Sequence, residues 1–61
     1  MKTSETFKAQ HIETRENSVR IGHLGKNVFL PRSQIERMHI DRGWITLTIP
    51  YWLYQEKFEN E

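Results

Sequence analysis

Sixty-one residues with no cysteine and a net charge of +1 admit one small domain and exclude disulfides and thiolate metal sites. A chain of this size buries only about 60% of the surface its unfolded form exposes. Its stability margin is therefore expected to come from self-association, as a dimer or larger homo-oligomer. No apolar run approaches the roughly 20 residues that span a bilayer, and Met1-Lys2-Thr3-Ser4-Glu5-Thr6 has no apolar signal-peptide core, so a soluble, cytoplasmic protein with no membrane partner is expected.

The charge is unevenly spread. Residues 1–17 balance. Residues 18–44 carry Arg20, Lys26, Arg32, Arg37 and Arg42 against Glu36 and Asp41, and residues 45–61 carry Lys57 against Glu56, Glu59 and Glu61. A basic middle and an acidic tail predict a sheet face that attracts phosphate and a helix that does not. The plainer alternative is a solvated face whose charge only keeps the protein soluble.

In chain order, residues 1–5 are expected to fray. Thr6 to Thr14 reads as a first strand, with Phe7 and Ala9 alternating with Lys8 and Gln10. Ile12 falls on the wrong parity, and a β-bulge near Gln10–His11 would return it to the apolar face. Arg15 to Asn17 makes a turn. Ser18 to Gly22 is a second strand with Val19 and Ile21 inward and Arg20 outward. His23-Leu24-Gly25-Lys26 is a hairpin connection in which Gly25 takes positive φ. Asn27 to Leu30 is a third strand, with Phe29 on the face opposite Val28 and Leu30, and Pro31 ends it. Pro31 to Gln34 is a turn. Ser33 and Glu36 have the spacing of a weak capping box for a brief helical turn, but a bend leading into a fourth strand, Ile35 to Ile40, is the preferred reading. Asp41-Arg42-Gly43 is a tight turn.

Trp44 to Ile49 is the clearest strand, with Ile45, Leu47 and Ile49 on one face and Trp44, Thr46 and Thr48 on the other. Pro50 cannot donate to a ladder but suits the first position of a helix. The helix runs from there to about Asn60, with Tyr54 and Phe58 sharing a face. The predicted fold is α+β and a single domain: an antiparallel meander of four to five strands over residues 6–49, then one C-terminal helix over 50–60. Ile45, Leu47, Ile49 and Leu53 read as core. The helix residues Trp52, Leu53, Tyr54 and Phe58 are expected to lie on the sheet or to pair subunits, and Trp44 is free to meet a ligand.

No nucleophile–base constellation and no Gly-rich phosphate loop is present, and nothing implies a small-molecule substrate. His11, His23 and His39, with Glu13 and Asp41, would gather a divalent cation such as Mg²⁺ only if the fold or a second subunit brought them together. The interleaving of Arg20, Lys26, Arg32, Arg37 and Arg42 with Phe29 and Trp44 points to single-stranded nucleic acid. Basic side chains track phosphates while rings stack on bases.

Two boxes, Val28-Phe29-Leu30-Pro31-Arg32-Ser33-Gln34-Ile35 and Ile49-Pro50-Tyr51-Trp52-Leu53, with Glu13-Thr14 upstream, resemble a family of very short phage and prophage proteins. That family usually has Trp at the place of Phe29 and Lys at that of Arg32. The resemblance implies a fold like that of single-stranded-DNA-binding coactivators of the positive-cofactor-four type, in which the C-terminal helix pairs subunits. It also implies a phage-encoded protein at work in a bacterial cell. One relative is associated with anti-CRISPR activity, by nicking and relaxing supercoiled DNA. Opening of target DNA by RNA-guided nucleases is a near-balanced strand exchange that negative supercoiling favours, so relaxing the DNA would protect it. Glu13 is the nearest match to the acidic residue implicated there.

Three functions follow. The first is a DNA nickase acting through Glu13, the second a non-catalytic single-strand-binding module on the same basic face, and the third a structural or adaptor protein.

Overall fold

The computed structural model describes residues 2–59. Five antiparallel strands, β1 (Ser4–Thr14), β2 (Ser18–His23), β3 (Lys26–Pro31), β4 (Arg37–Asp41) and β5 (Trp44–Pro50), form one open sheet. A single short helix, α1 (Tyr51–Tyr54), follows and widens into a π-helical turn over Gln55–Glu59. The fold is thus a small α+β unit. Asn60, where the helix was expected to end, lies outside the described residues. Among the described residues no helix is long and apolar enough to cross a membrane.

The strand order is β3-β2-β1-β5-β4, which corrects the expected meander: β3 and β4 are consecutive in the chain but occupy opposite edges. The cause is the match between β1 and β5. Phe7 pairs with Leu47 and Ala9 with Ile45 on the core face, while Thr6 pairs with Thr48 and Lys8 with Thr46 on the outer face. Opposed side chains of like character are what make a sheet register favourable. The strand starts at Ser4, because Ser4 and Glu5 pair with Pro50 and Ile49, so the expected fraying does not reach them. Pro50 accordingly closes β5 and precedes the helix instead of opening it.

The register break in β1 lies between His11 and Glu13, later than expected, and it does not return Ile12 to the core. Ile12 lies beside Gly22 on the outer face: its Cδ1 is 3.5 Å from where a Gly22 side chain would begin. His11 opposes Ile21, and Glu13 opposes Arg20, so the extra residue moves Glu13 onto the outer face.

Both hairpins turn on two residues, Leu24-Gly25 and Arg42-Gly43, with φ of 53° and 76° and of 52° and 82°. Positive φ at both positions marks the type I′ turn, whose twist suits a hairpin. Gly25 and Gly43 fit it freely, whereas a left-handed Leu24 or Arg42 costs roughly 1–2 kcal/mol. The link from β3 to β4 is a 3-10 turn, Arg32–Gln34, entered from Pro31 without any side-chain cap. A helical turn therefore replaces the preferred bend, Ser33 does not cap it, and β4 starts only at Arg37.

The core is Ala9, Val19, Ile21, Leu30, Ile45, Leu47 and Ile49 from the sheet, covered by Leu53 and Phe58 from the helical segment. Burying each of the last two contributes about 1.5–3 kcal/mol. His23 joins this side in an aromatic cluster. Its ring centroid lies 4.7 Å from that of Phe7 and 4.9 Å from that of Phe58. Its Nε2 is 3.2 Å from the Tyr54 hydroxyl. Burial pushes the His23 pKa below its usual value, against a raising contribution from the Lys8 backbone carbonyl.

Two outcomes follow. The unfolded chain takes up the His23 proton near pH 6.5, above the folded pKa. The stability linked to His23 is therefore full above that pH, declines below it, and is lost once the folded pKa is passed. Urea unfolding at a series of pH values should show this decline, and His23→Phe should flatten it. Leu24→Asn, which accepts the left-handed turn, should raise stability by about 0.5–1 kcal/mol in the same assay.

Candidate nucleic-acid interface

The sheet face away from the helix is polar, and the registers order it into rows. Phe29, Arg20 and Glu13 form one. Asn27, Gly22, Gln10, Trp44 and Asp41 form the next. Lys8, Thr46 and His39 follow, then Thr6, Thr48 and Arg37. The Thr6 and Thr48 hydroxyls share a 2.9 Å hydrogen bond.

Two aromatic stations stand on this face, each with cations over the ring. Phe29, 40% exposed, carries the guanidiniums of Arg15 at 4.9 Å and Arg20 at 5.5 Å from its centroid. Trp44, 46% exposed, carries the Lys8 ammonium at 5.5 Å. Three strand spacings separate the stations, roughly 14 Å. Beside Trp44, toward the β2–β3 turn, lies a shallow groove of about 350 Å³ whose lining includes Lys8, Gln10, Gly22, Asn27 and Trp44. Gly22 keeps its floor low, since a Cβ there would stand 3.1 Å from Asn27 Oδ1.

The electrostatics of the Phe29 station are uneven. Arg15 Nε donates to Glu13 Oε2 at 2.8 Å, and that bond holds the Glu13 carboxyl below the ordinary carboxylate range. Arg20 has no such partner. Among the described residues no carboxylate pairs with Arg20, Lys8, Lys26 or Arg37. The Arg20 Nε is buried without a hydrogen-bond acceptor. Leaving a charged donor unpaired is costly.

Of the residues expected to bind nucleic acid, the fold sets Trp44 at the groove and Arg20 on Phe29, whereas Lys26, which borders the groove at the strand end, pairs with His23 and has the helix-side parity of Val28. Arg37 is on the outer face but on the edge strand, Arg32 is in the 3-10 turn, and Arg42 is at a hairpin tip. Lys8 and Arg15 were missed as site residues. Lys8 was legible from its parity in β1, whereas nothing local shows that Arg15, in a turn, reaches the Phe29 ring.

The fold disperses the side chains expected to gather a cation. His11 Nε2 is 2.6 Å from Thr14 Oγ1, His23 is in the aromatic cluster, and His39 is on β4. Among the described residues no three of His, Cys, Asp and Glu converge on a metal position. Of the four residues expected to pair subunits, Leu53 and Phe58 are buried in this chain's own core. Tyr54 is half-buried against His23, and Trp52, 57% exposed, stands outside. In comparison with known proteins, the chain matches no family model, no curated protein and no solved structure.

Proposed function

We propose that the outer sheet face binds single-stranded DNA without cleaving it, as an accessory protein of phage origin in a bacterial cell. The observation that carries this reading is the pair of cation-bearing rings, Phe29 with Arg15 and Arg20, and Trp44 with Lys8, on one polar face. Bases stacked on the two rings would lead the backbone past Arg20, which forms no ion pair with a carboxylate among the described residues. The motif boxes at residues 28–35 and 49–53 favour the finer reading of a positive-cofactor-four-like, homo-oligomeric fold.

A second reading, nicking of supercoiled DNA with the anti-CRISPR consequence described above, is favoured by the place of Glu13. It lies on the outer face opposite Arg20 and is bonded to Arg15, where a phosphodiester would be held. Glu13 would take the proton of the attacking water. Its carboxylate is already taken up by Arg15, whereas the Phe29 and Trp44 rings are partly exposed, and for that reason binding is the leading reading.

Phe29→Ala and Trp44→Ala should each weaken binding of a single-stranded oligonucleotide by about 1–3 kcal/mol. Arg20→Ala should lower the slope of log affinity against log salt by about one. Fluorescence anisotropy at several salt concentrations reads both, and affinity indifferent to salt and to all three changes would remove this reading. On a gel, supercoiled plasmid should stay supercoiled with wild type. Open circles formed by wild type but not by Glu13→Gln would establish the nickase instead.

A further inference from the structure

The sheet has two open edges, and only one is protected. At β3 the edge ends in Pro31, which has no N–H to offer, and begins with Lys26, and both discourage pairing with another strand. β4 reads Arg37-Met38-His39-Ile40-Asp41 and has neither device. Its two-residue turn makes Asp41 and Trp44 a hydrogen-bonded pair, and parity extends this to His39 with Thr46. The N–H and C=O groups of Met38 and Ile40 consequently point to the free edge. Ile40 lies on the core side of the sheet, opposite fully buried Ile45, yet is 42% exposed.

The segment from Glu36 to Arg42 is self-complementary about His39. Laid antiparallel against itself, with a two-fold axis at His39, it sets Arg37 opposite Asp41 and Met38 opposite Ile40. One step further out, Glu36 comes level with Arg42. The same register places the free backbone groups of Met38 and Ile40 opposite each other, which is the condition for a hydrogen-bonded pair, and leaves the two His39 residues as the non-bonded pair between them.

We propose that β4 pairs with β4 of a second copy of this chain in that register, joining the two sheets into one. Four main-chain hydrogen bonds form, Met38 covers the partner's Ile40 on the core side, and Arg37 meets the partner's Asp41 on the outer side. The second copy is specified by this chemistry: a foreign strand would have to repeat the same order of acid, base and apolar residues. Arg37, Arg42 and Ile40, which the outer-face stations leave unused, all gain a partner. The two outer faces become continuous across the axis. That consequence bears on the nucleic-acid reading, but the pairing does not depend on it.

The test is made without nucleic acid. Sedimentation equilibrium should show wild type as a dimer. Arg37→Asp and Asp41→Arg each set like charges opposite one another twice, and each should weaken self-association about tenfold or more. The double variant restores both pairs and should restore the dimer. Because Asp41 adjoins a turn, a second probe is needed. The chain has no cysteine, so His39→Cys should form a disulfide-linked dimer in a glutathione redox buffer, its two Cα atoms being about 4.5 Å apart. Asn27→Cys, on the protected edge, should stay monomeric on a non-reducing gel. A monomeric wild type, a dimer indifferent to both charge reversals, or linkage through Asn27→Cys in place of His39→Cys would each overturn the proposal.

Discussion

The structure depends on β1 being paired on both sides, and on the point where it changes partner. From Ser4 to Gln10 it is held by β5, and from Gln10 to Thr14 by β2, with Gln10 between Trp44 and Gly22. This central strand joins residues more than forty apart in sequence, such as Thr6 and Thr48. Its pairing closes the apolar side over Ala9, Ile45 and Leu47 and sets the β2–β3 and β4–β5 hairpins on opposite flanks. The helical segment follows directly from the end of β5 and can reach only the apolar side, where Leu53 and Phe58 complete the core. The other face is left bare, and both aromatic stations lie on it.

The bulge in β1 links this backbone constraint to chemistry. If β1 alternated regularly through Ile12, Glu13 would stay on the apolar side with Phe7 and Ala9. With the bulge, Glu13 crosses to the outer face, engages Arg15 and leaves Arg20 stacked on Phe29 without an acidic partner. A one-residue shift thus decides that Glu13 pairs with Arg15 on the outer face. At the second station Lys8 and Trp44 belong to neighbouring strands, and their contact follows from the β1–β5 register alone.

The sequence disclosed what local pattern controls. The alternation in Trp44 to Ile49, the inward Val19 and Ile21, the outward Phe29 and the apolar face of the helix all follow from periods of two and 3.6. Strand order did not follow, because turn lengths describe neighbours in sequence, and the decisive β1–β5 match is long-range. The turn residues Leu24 and Arg42 were opaque for the opposite reason: their own propensity opposes the left-handed backbone that hairpin twist imposes on them. The site was half legible. Arg20 and Trp44 are signalled by charge and parity, whereas the reach of Arg15 to Phe29 and the burial of the Arg20 Nε exist only once the strands are side by side.

The central claim is that the outer face, and not the helix, meets the partner. The two tryptophans make this directly measurable, since Trp44 is on the outer face and Trp52 on the helix. In a Trp52→Phe variant, tryptophan emission reports Trp44 alone. Titration with a single-stranded oligonucleotide should quench that emission saturably, and added salt should reverse the quenching. Unchanged Trp44 emission, together with quenching of Trp52 in the converse Trp44→Phe variant, would contradict the account and move the contact to the helix.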